Sequence, residues 1–336
     1  MSIKMNLVRK ILSFEKEKAK AMLDNSKNPS NIYEVLTIND LYRTPPQKLS
    51  RFVMRDMISK DIAIGKLRYL HLKANYERKY YSNTTPQNIC IFYIHGGGFC
   101  TGFAEQGVYL LKSLMKHFGC DCVCPRYPLS PEKTYPKALD MIEKIYDCSL
   151  SQYKRIVIVG ESAGANLVIS LMLKLRAKRK KLPDCALLLS GFFDLTRTLF
   201  IHKNNEISDV SLHDSQLKYM AYSYLFGENI SPNKNSERLK IPTVSPVFAR
   251  LNNFPPLFFS ACKDEILYDD TLKMIENCKR DNITHQLYSA KECFHAYAIL
   301  GDFLPESSRA TKKMIKFITD HTKIQSTYSK PNQRKK

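Results

Sequence analysis

The sequence predicts an α/β protein in which helices cover both faces of a mostly parallel central sheet. Three observations support this prediction. Short apolar runs alternate with stretches of helical spacing, as in successive β-α-β units. The apolar runs are continuous rather than alternating, which is typical of strands buried on both faces. One run leads directly into a glycine-flanked serine and then into a helical pattern.

The predicted strands and helices succeed one another through most of the chain. Strands are expected at 89–94, 121–125, 155–160, 185–190, 256–261 and 285–290. Helices are expected between and after them, at about 105–118, 136–148, 163–178, 269–281 and 308–320. Alternating residues at 66–81 predict a hairpin or edge strands before this series. Parallel strands end at a common edge of the sheet, and ligands bind there.

Three segments depart from this alternation. Apolar residues at helical spacing predict an amphipathic helix over 3–24 and a second helix over 45–60. Residues 192–250 form a longer, more polar and partly helical insertion. We expect these segments to form a cap over the carboxyl ends of the strands.

The chain is strongly basic, with a formal net charge of +20 over 336 residues. A charge of this sign attracts nucleic acid or an anionic membrane surface. Lysine and arginine cluster at 4–20, 174–181 and 330–336, without zinc-finger spacing or interleaved aromatic residues. We therefore expect no specific nucleic-acid binding, whereas weak contact with an anionic membrane surface stays an open alternative.

The cysteines and the N-terminus indicate the cellular compartment of the protein. The ten cysteines include several in apolar surroundings and no C-x-x-C pair, which favours buried reduced thiols over a metal site. Charges interrupt the N-terminus every few residues, so it does not resemble a signal peptide, and no run of about 20 apolar residues predicts a membrane span. We therefore expect a soluble, cytoplasmic protein.

A G-x-S-x-G motif at residues 160–164 places Ser162 between a predicted strand and a predicted helix. The small residues Gly160 and Gly164 allow the strand and the helix to approach closely. The turn then exposes the serine hydroxyl at its tip. Ser162 is therefore the candidate nucleophile, and an incidental tight turn is the alternative.

A serine hydroxyl needs a base to act as a nucleophile. In folds with this motif the acid and then the histidine follow the serine along the chain. Of the later histidines, only His295 lies in a loop just past a late predicted strand. The preceding strand is followed by four carboxylates: Asp264, Glu265, Asp269 and Asp270. Asp264 comes first beyond that strand and is the preferred acid, with Asp269 as an alternative.

His95 and three consecutive glycines follow the predicted strand at 89–94, in a chain with only 12 glycines. Backbone N–H groups can approach a substrate closely where side chains are absent. Such donors stabilise the negative charge that develops on a carbonyl oxygen. We therefore expect an oxyanion hole formed by the N–H groups of Gly97, Gly98 and Ala163.

These motifs, with Asp264 and His295, resemble the hormone-sensitive-lipase family of α/β-hydrolases over about residues 85–320. The resemblance implies an α/β-hydrolase fold with a helical cap, in which His95 and Gly96 support the glycine loop. Glu161 occupies a position where that family often has aspartate. The implied units are an N-terminal helical cap segment (1–60), a catalytic domain (61–322) with its cap insertion at about 192–250, and a basic, disordered tail (323–336).

The resemblance further implies a serine carboxylesterase that acts on short- to medium-chain acyl esters through an acyl-enzyme, with no metal or organic cofactor. A deacetylase, amidase or lactonase using the same residues is one alternative. A non-catalytic binding protein is another, although such proteins characteristically lack a triad residue. The N-terminal helix is expected to cover the acyl pocket, with membrane anchoring as its alternative. The sequence leaves the oligomeric state open, a homodimer being one option.

Overall fold

A mixed eight-stranded sheet forms the centre of the computed structural model, which describes residues 1–25, 49–51, 53–81, 84–199, 204–227 and 236–328. The strands are Met57–Ile64 (β1), Leu67–Ala74 (β2), Ile89–Ile94 (β3), Asp121–Pro125 (β4), Arg155–Glu161 (β5), Cys185–Leu189 (β6), Leu257–Cys262 (β7) and His285–Ala290 (β8). Their order across the sheet is β1-β2-β4-β3-β5-β6-β7-β8. Strands β3 to β8 pair in parallel, and β1 and β2 pair antiparallel at one edge.

Helices cover both faces of this sheet. The helices of the described residues are Ile3–Asn25 (α1), Gly107–Phe118 (α2), Lys137–Gln152 (α3), Ala163–Ala177 (α4), Asn204–Ser208 (α5), Asp214–Phe226 (α6), Tyr268–Arg280 (α7) and Pro305–His321 (α8). Short 3₁₀ segments lie at Ser236–Lys240, Pro246–Phe248 and Tyr297–Phe303. None of the helices in the described ranges is long and apolar enough to cross a membrane.

Two hydrophobic cores explain why the predicted strands read as continuous apolar runs. One core lies between the sheet and helices α3, α4 and α7, and the other between the sheet and helices α2 and α8. Successive residues of β3 point alternately into the two cores, with Phe92 in the first and Ile91 and Tyr93 in the second. Every residue of β3 is therefore buried. The predicted α/β fold and its six parallel strands are confirmed.

The prediction of a second helix over residues 45–60 is wrong for residues 57–60. Residues 57–60 begin β1, which pairs with β2 from Met57↔Ala74 to Ile64↔Leu67. This pairing gives the backbone a ladder of hydrogen bonds, and it overrides the local helical spacing. Residues 26–48 and 52 of the N-terminal cap segment lie outside the described residues.

The start of the predicted tail packs against the domain instead of being disordered. Ile324 is 1% exposed, and Tyr328 forms an antiparallel bridge with Thr84. The Gln87 side-chain amide donates a hydrogen bond to the Gln325 carbonyl at 3.1 Å. Residues 329–336 lie outside the described residues. The division at 60, 192–250 and 322 into cap, catalytic domain and tail stays a prediction.

A buried ion-pair network attaches the cap insertion to the domain. The Arg197 guanidinium lies 2.9 Å from the Asp214 carboxylate at the start of α6 and 3.2 Å from the Asp270 carboxylate in α7. The Arg197 and Asp270 side chains are 1% and 0% exposed. Asp270 also accepts the backbone N–H groups of Phe193 and Asp194 at 2.8 and 2.7 Å. The network therefore fixes the position of α6.

We expect Asp270→Ala to lower the free energy of unfolding by about 3 kcal/mol, because it leaves the buried Arg197 and two backbone N–H groups without this acceptor. Urea unfolding followed by circular dichroism measures the change. The control is Asp147→Ala, which removes a half-exposed ion pair with Lys180 (41% and 34% exposed) and should cost less than about 1 kcal/mol. Equal losses in the two variants would contradict the structural role of Asp270.

Candidate active site

The turn between β5 and α4 presents Ser162 in the conformation expected of a nucleophile elbow. Ser162 has φ 54° and ψ −122°, a strained region for a residue with a side chain. A Cβ atom on Gly160 would lie 2.6 Å from the backbone of Gly164, and one on Gly164 would contact the Ile94 carbonyl oxygen. The Ser162 N–H donates to the Leu189 carbonyl at 2.8 Å. The turn is thus held by close backbone contacts that only glycine permits at 160 and 164.

The glycine loop after β3 lies beside this serine. Gly97 and Gly98 have φ values of 90° and 60°, in the left-handed region that favours glycine. Both glycines line the same cavity as Ser162. Within the described residues, the N–H groups of Gly97, Gly98 and Ala163 donate to no protein acceptor. The two glycines therefore bring N–H groups to the cavity wall, and Ala163 directly follows the lining residue Ser162 in the chain.

His95 lies inside the glycine loop. The imidazole is buried and stacks on the Tyr127 ring, with the ring centroids 4.2 Å apart. The His95 Nδ1 atom lies 3.0 Å from the Gly96 carbonyl oxygen, and the Tyr127 hydroxyl donates to the His95 carbonyl at 2.7 Å. Burial lowers the pKa of His95 to about 4. The ring is therefore neutral near pH 7 and packs inside the loop.

Glu161 connects the glycine loop to the serine turn. Its Oε1 atom accepts the Gly96 N–H at 2.7 Å. Burial raises the pKa of Glu161 to about 7, although the bond from the Gly96 N–H opposes this shift. No role for this side chain was predicted from the sequence. Its position directly before the serine could have indicated the contact, because that position lies opposite the start of the glycine loop.

The structure places Glu265, and not Asp264, against His295. The His295 Nδ1 atom lies 3.1 Å from Glu265 Oε2, and the two side chains are 11% and 1% exposed. Asp264 instead accepts the backbone N–H of Glu292 at 2.5 Å. A tight turn after β7 causes this difference, because the Glu265 N–H donates to the Cys262 carbonyl at 3.2 Å. The turn directs the Glu265 carboxylate towards His295 and the Asp264 carboxylate towards the Glu292 backbone, so the prediction of Asp264 as the partner of His295 is wrong.

The other two candidate carboxylates lie in the first turn of α7. Asp270 binds Arg197 and the backbone of residues 193 and 194, as described above. Asp269 is likewise a buried residue of this turn. Neither aspartate lines the cavity that contains Ser162 and His295.

Ser162 and His295 line one cavity of about 270 Å³. Its walls come from the glycine loop, the serine turn, the loop after β8 and the cap insertion. The lining residues are Gly97, Gly98, Thr101, Glu161, Ser162, Phe192, Leu212, Gln216, Leu217, Met220, His295, Ala296 and Ile299. Helix α1 contributes none of them, so the described part of the N-terminal segment does not form the predicted pocket lid. The insertion was predicted to lie near the site, but the residues of the insertion that line the cavity were not predicted.

Valine at either of two glycines in the glycine loop should strongly reduce hydrolysis of a chromogenic ester without unfolding the protein. A Cβ atom on Gly97 would clash with Thr101, and one on Gly98 would clash with Met220. Both positions also require a positive φ. We expect Gly97→Val and Gly98→Val each to lower kcat/KM for p-nitrophenyl acetate by at least about 10²-fold, since each displaces an oxyanion donor.

The control for these variants is Gly102→Val in the same loop. A Cβ atom on Gly102 meets no atom within 4 Å, so activity should stay within a few-fold of wild type. Full activity of both Gly97→Val and Gly98→Val would rule out this loop as the oxyanion hole. Thermal unfolding of each variant separates lost activity from lost fold.

Comparisons with known proteins identify the family of the chain. A family model described as alpha/beta hydrolase fold matches residues 91–299. The chain is 30% identical over 232 residues to an esterase of Acinetobacter venetianus, covering 68% of this chain and 74% of that protein. It is 26% identical over 223 residues to an acetyl-hydrolase of Streptomyces hygroscopicus, covering 66% and 72% of the two chains.

Solved structures show the same fold at lower sequence identity. The crystal structure of EstE5 superposes with a TM-score of 0.76 at 22% identity, covering 96% of this chain and 99% of that chain. A hormone-sensitive lipase from a metagenome library superposes with a TM-score of 0.75, also at 22% identity, covering 96% and 98%. The fold is therefore shared over nearly the whole chain.

Proposed function

Because the chain belongs to the α/β-hydrolase family and is a carboxylic ester hydrolase, we propose that it cleaves short acyl esters with the triad Ser162, His295 and Glu265. The observation that carries this proposal is the buried contact between His295 and Glu265 beside the cavity that Ser162 lines. A histidine held by a buried carboxylate is the base that a serine nucleophile requires.

The proposed reaction begins with attack of Ser162 Oγ on the ester carbonyl while His295 takes the hydroxyl proton. Glu265 accepts a hydrogen bond from the Nδ1–H group of His295, fixes the tautomer and stabilises the imidazolium that forms. The N–H groups of Gly97, Gly98 and Ala163 bind the oxyanion. His295 then gives the proton to the leaving alcohol, and the acyl group stays on Ser162. Water, activated by the same histidine, releases the acid.

The size of the cavity supports a short acyl group. Its volume of about 270 Å³ lies below the ~300–1,000 Å³ that is typical of ligand pockets. The bulky side chains of Phe192, Leu217 and Met220 form part of its wall. The relative from Streptomyces hygroscopicus is named an acetyl-hydrolase, which is consistent with a preference for small acyl groups.

A panel of substrates tests this function. We expect kcat/KM to be highest for p-nitrophenyl acetate or butyrate and to fall at least about tenfold for the octanoate, because a longer chain does not fit the cavity. Acetanilides and lactones measured in parallel distinguish an esterase from an amidase or a lactonase. Faster turnover of an amide, a lactone or the octanoate would refute the proposed specificity.

The pH profile should report the ionisation of His295. Burial alone lowers the pKa of His295, but the hydrogen bond to Glu265 and its negative charge outweigh burial and raise the pKa above the ordinary value of 6.5. Because only the neutral imidazole accepts the serine proton, we expect kcat/KM to fall as the pH drops through a midpoint above 6.5. A wild-type midpoint at or below 6.5 would contradict this assignment.

The control for the pH profile is Glu265→Gln. This variant removes the charge that raises the pKa of His295, so the midpoint of its residual activity should move to lower pH. The pKa of Glu161 lies near the same range but is raised chiefly by its own burial. A midpoint that moves with Glu265→Gln therefore reports His295 rather than Glu161.

A further inference from the structure

The outer face of α1 carries a row of exposed apolar side chains. Ile3, Leu7, Ile11 and Phe14 are 89%, 61%, 55% and 70% exposed. Residues at this spacing lie on one side of a helix. Together with Met1, they make up five of the ten strongly exposed large apolar side chains among the described residues. We call the four helical residues the α1 stripe.

The opposite face of α1 is fixed to the rest of the molecule. Met5 is fully buried. The Arg9 guanidinium donates to the Cys293 carbonyl, and the Lys16 ammonium donates to the Asp209 carbonyl. The Ser2 hydroxyl donates to the Glu306 carboxylate at 2.8 Å. The α1 stripe is thus the outward side of a docked helix.

The contacts beneath α1 belong to segments that form the catalytic cavity. Cys293 lies two residues before His295, and Asp209 lies three residues before the lining residue Leu212. One helix diameter, ~10 Å, separates such contacts from the outward face of the helix. A surface that covers the α1 stripe would therefore lie close to the cavity.

The charge of the chain indicates what covers the stripe. Lys4 and Lys10 are exposed on opposite sides of the stripe. Glu15 and Glu17 follow Phe14, the last residue of the stripe. Residues 1–25 carry six basic and three acidic side chains. With a formal charge of +20, two copies of the chain repel each other, whereas an anionic lipid surface attracts each copy.

We propose that α1 docks the protein onto anionic membranes, with the α1 stripe buried at the boundary between headgroups and acyl chains. An apolar helix face bordered by lysines is the arrangement that binds in the plane of a lipid interface. Docking holds the catalytic cavity beside the lipid surface, where apolar esters concentrate. The docking itself does not depend on the proposed hydrolysis.

Vesicle co-sedimentation of the full chain tests this inference. We expect wild type to bind vesicles of phosphatidylcholine and phosphatidylserine, and to bind less to phosphatidylcholine alone or at high salt. The triple variant Leu7→Ser/Ile11→Ser/Phe14→Ser should bind at least about 30-fold more weakly, since it removes most of the inserted apolar area. Lys4→Glu/Lys10→Glu should weaken binding only to the vesicles that contain phosphatidylserine.

The matched control is Ile58→Ser/Ile64→Ser, which removes two exposed apolar side chains of β1 (46% and 49% exposed). It should bind vesicles as wild type does. Hydrolysis of soluble p-nitrophenyl acetate should be unchanged in all these variants, which verifies their fold independently of membranes.

Three results would overturn the inference. The first two are absence of wild-type binding to the anionic vesicles and equal binding by the stripe variant. The third is a concentration-dependent dimer, seen by analytical ultracentrifugation, that disappears in the stripe variant while vesicle binding is absent. That result would assign the α1 stripe to a second copy of the chain.

Discussion

Replacement of Ser162 by alanine is expected to lower kcat for p-nitrophenyl butyrate by about 10⁶-fold while the fold is retained. The change removes the only group proposed to form the acyl-enzyme. His295 and the oxyanion donors stay in place, so a small residual rate above the uncatalysed reaction should remain. The turn should be retained in this variant, because the hydrogen bonds that Ser162 forms with the rest of the protein are made by its backbone.

Fluorophosphonate labelling provides an independent readout for this variant. Wild type should be labelled at Ser162, and Ser162→Ala should not be labelled. Ser151→Ala, at the exposed end of α3, is the control for a serine-to-alanine change and should retain both labelling and turnover. Near-wild-type hydrolysis by Ser162→Ala would exclude Ser162 as the nucleophile, and an unlabelled wild type would revive the non-catalytic alternative.

Replacement of Glu265 by glutamine is expected to lower kcat by about 10⁴-fold, because an amide cannot hold His295 in the required tautomer or stabilise its positive charge. The side chain is 1% exposed, so water does not replace the lost charge efficiently. Turnover of p-nitrophenyl butyrate at a pH above the His295 midpoint measures this effect without interference from the shift in pKa.

Asp264→Asn is the matched control, since it makes the same change one residue earlier. Asp264 accepts a backbone N–H from Glu292 and does not contact His295, so we expect less than about a tenfold effect. The reverse outcome, a large loss in Asp264→Asn and a small loss in Glu265→Gln, would restore the acid predicted from the sequence and refute the contact seen in the structure.

Strands and turns with a local signal could be predicted from the sequence. The buried strands are continuous apolar runs, and each run is set by residues that are adjacent in the chain. The serine turn is defined within five residues, because Gly160 and Gly164 are needed by the same turn that exposes Ser162. His295 was identified from its place after a late strand, which depends only on chain order.

Features that depend on contacts between distant segments could not be predicted from the sequence. Asp264 and Glu265 are adjacent in the chain, and the direction of the turn after β7 determines which of the two carboxylates contacts His295. The cavity walls from α6 depend on the network that Arg197 forms with Asp214 and Asp270. The helix expected at 45–60 gave way to a strand because β2 lies alongside it.

The amino-acid sequence by itself determined the α/β fold, the candidate nucleophile Ser162, the candidate base His295 and the glycine loop, since each follows from neighbouring residues or from the order of elements along the chain. Only the tertiary structure decided the partner of His295, the residues that limit the cavity and the outward direction of the α1 stripe. The physical reason is that these features depend on which distant segments pack together. Burial and side-chain direction are set by that packing and have no local signature.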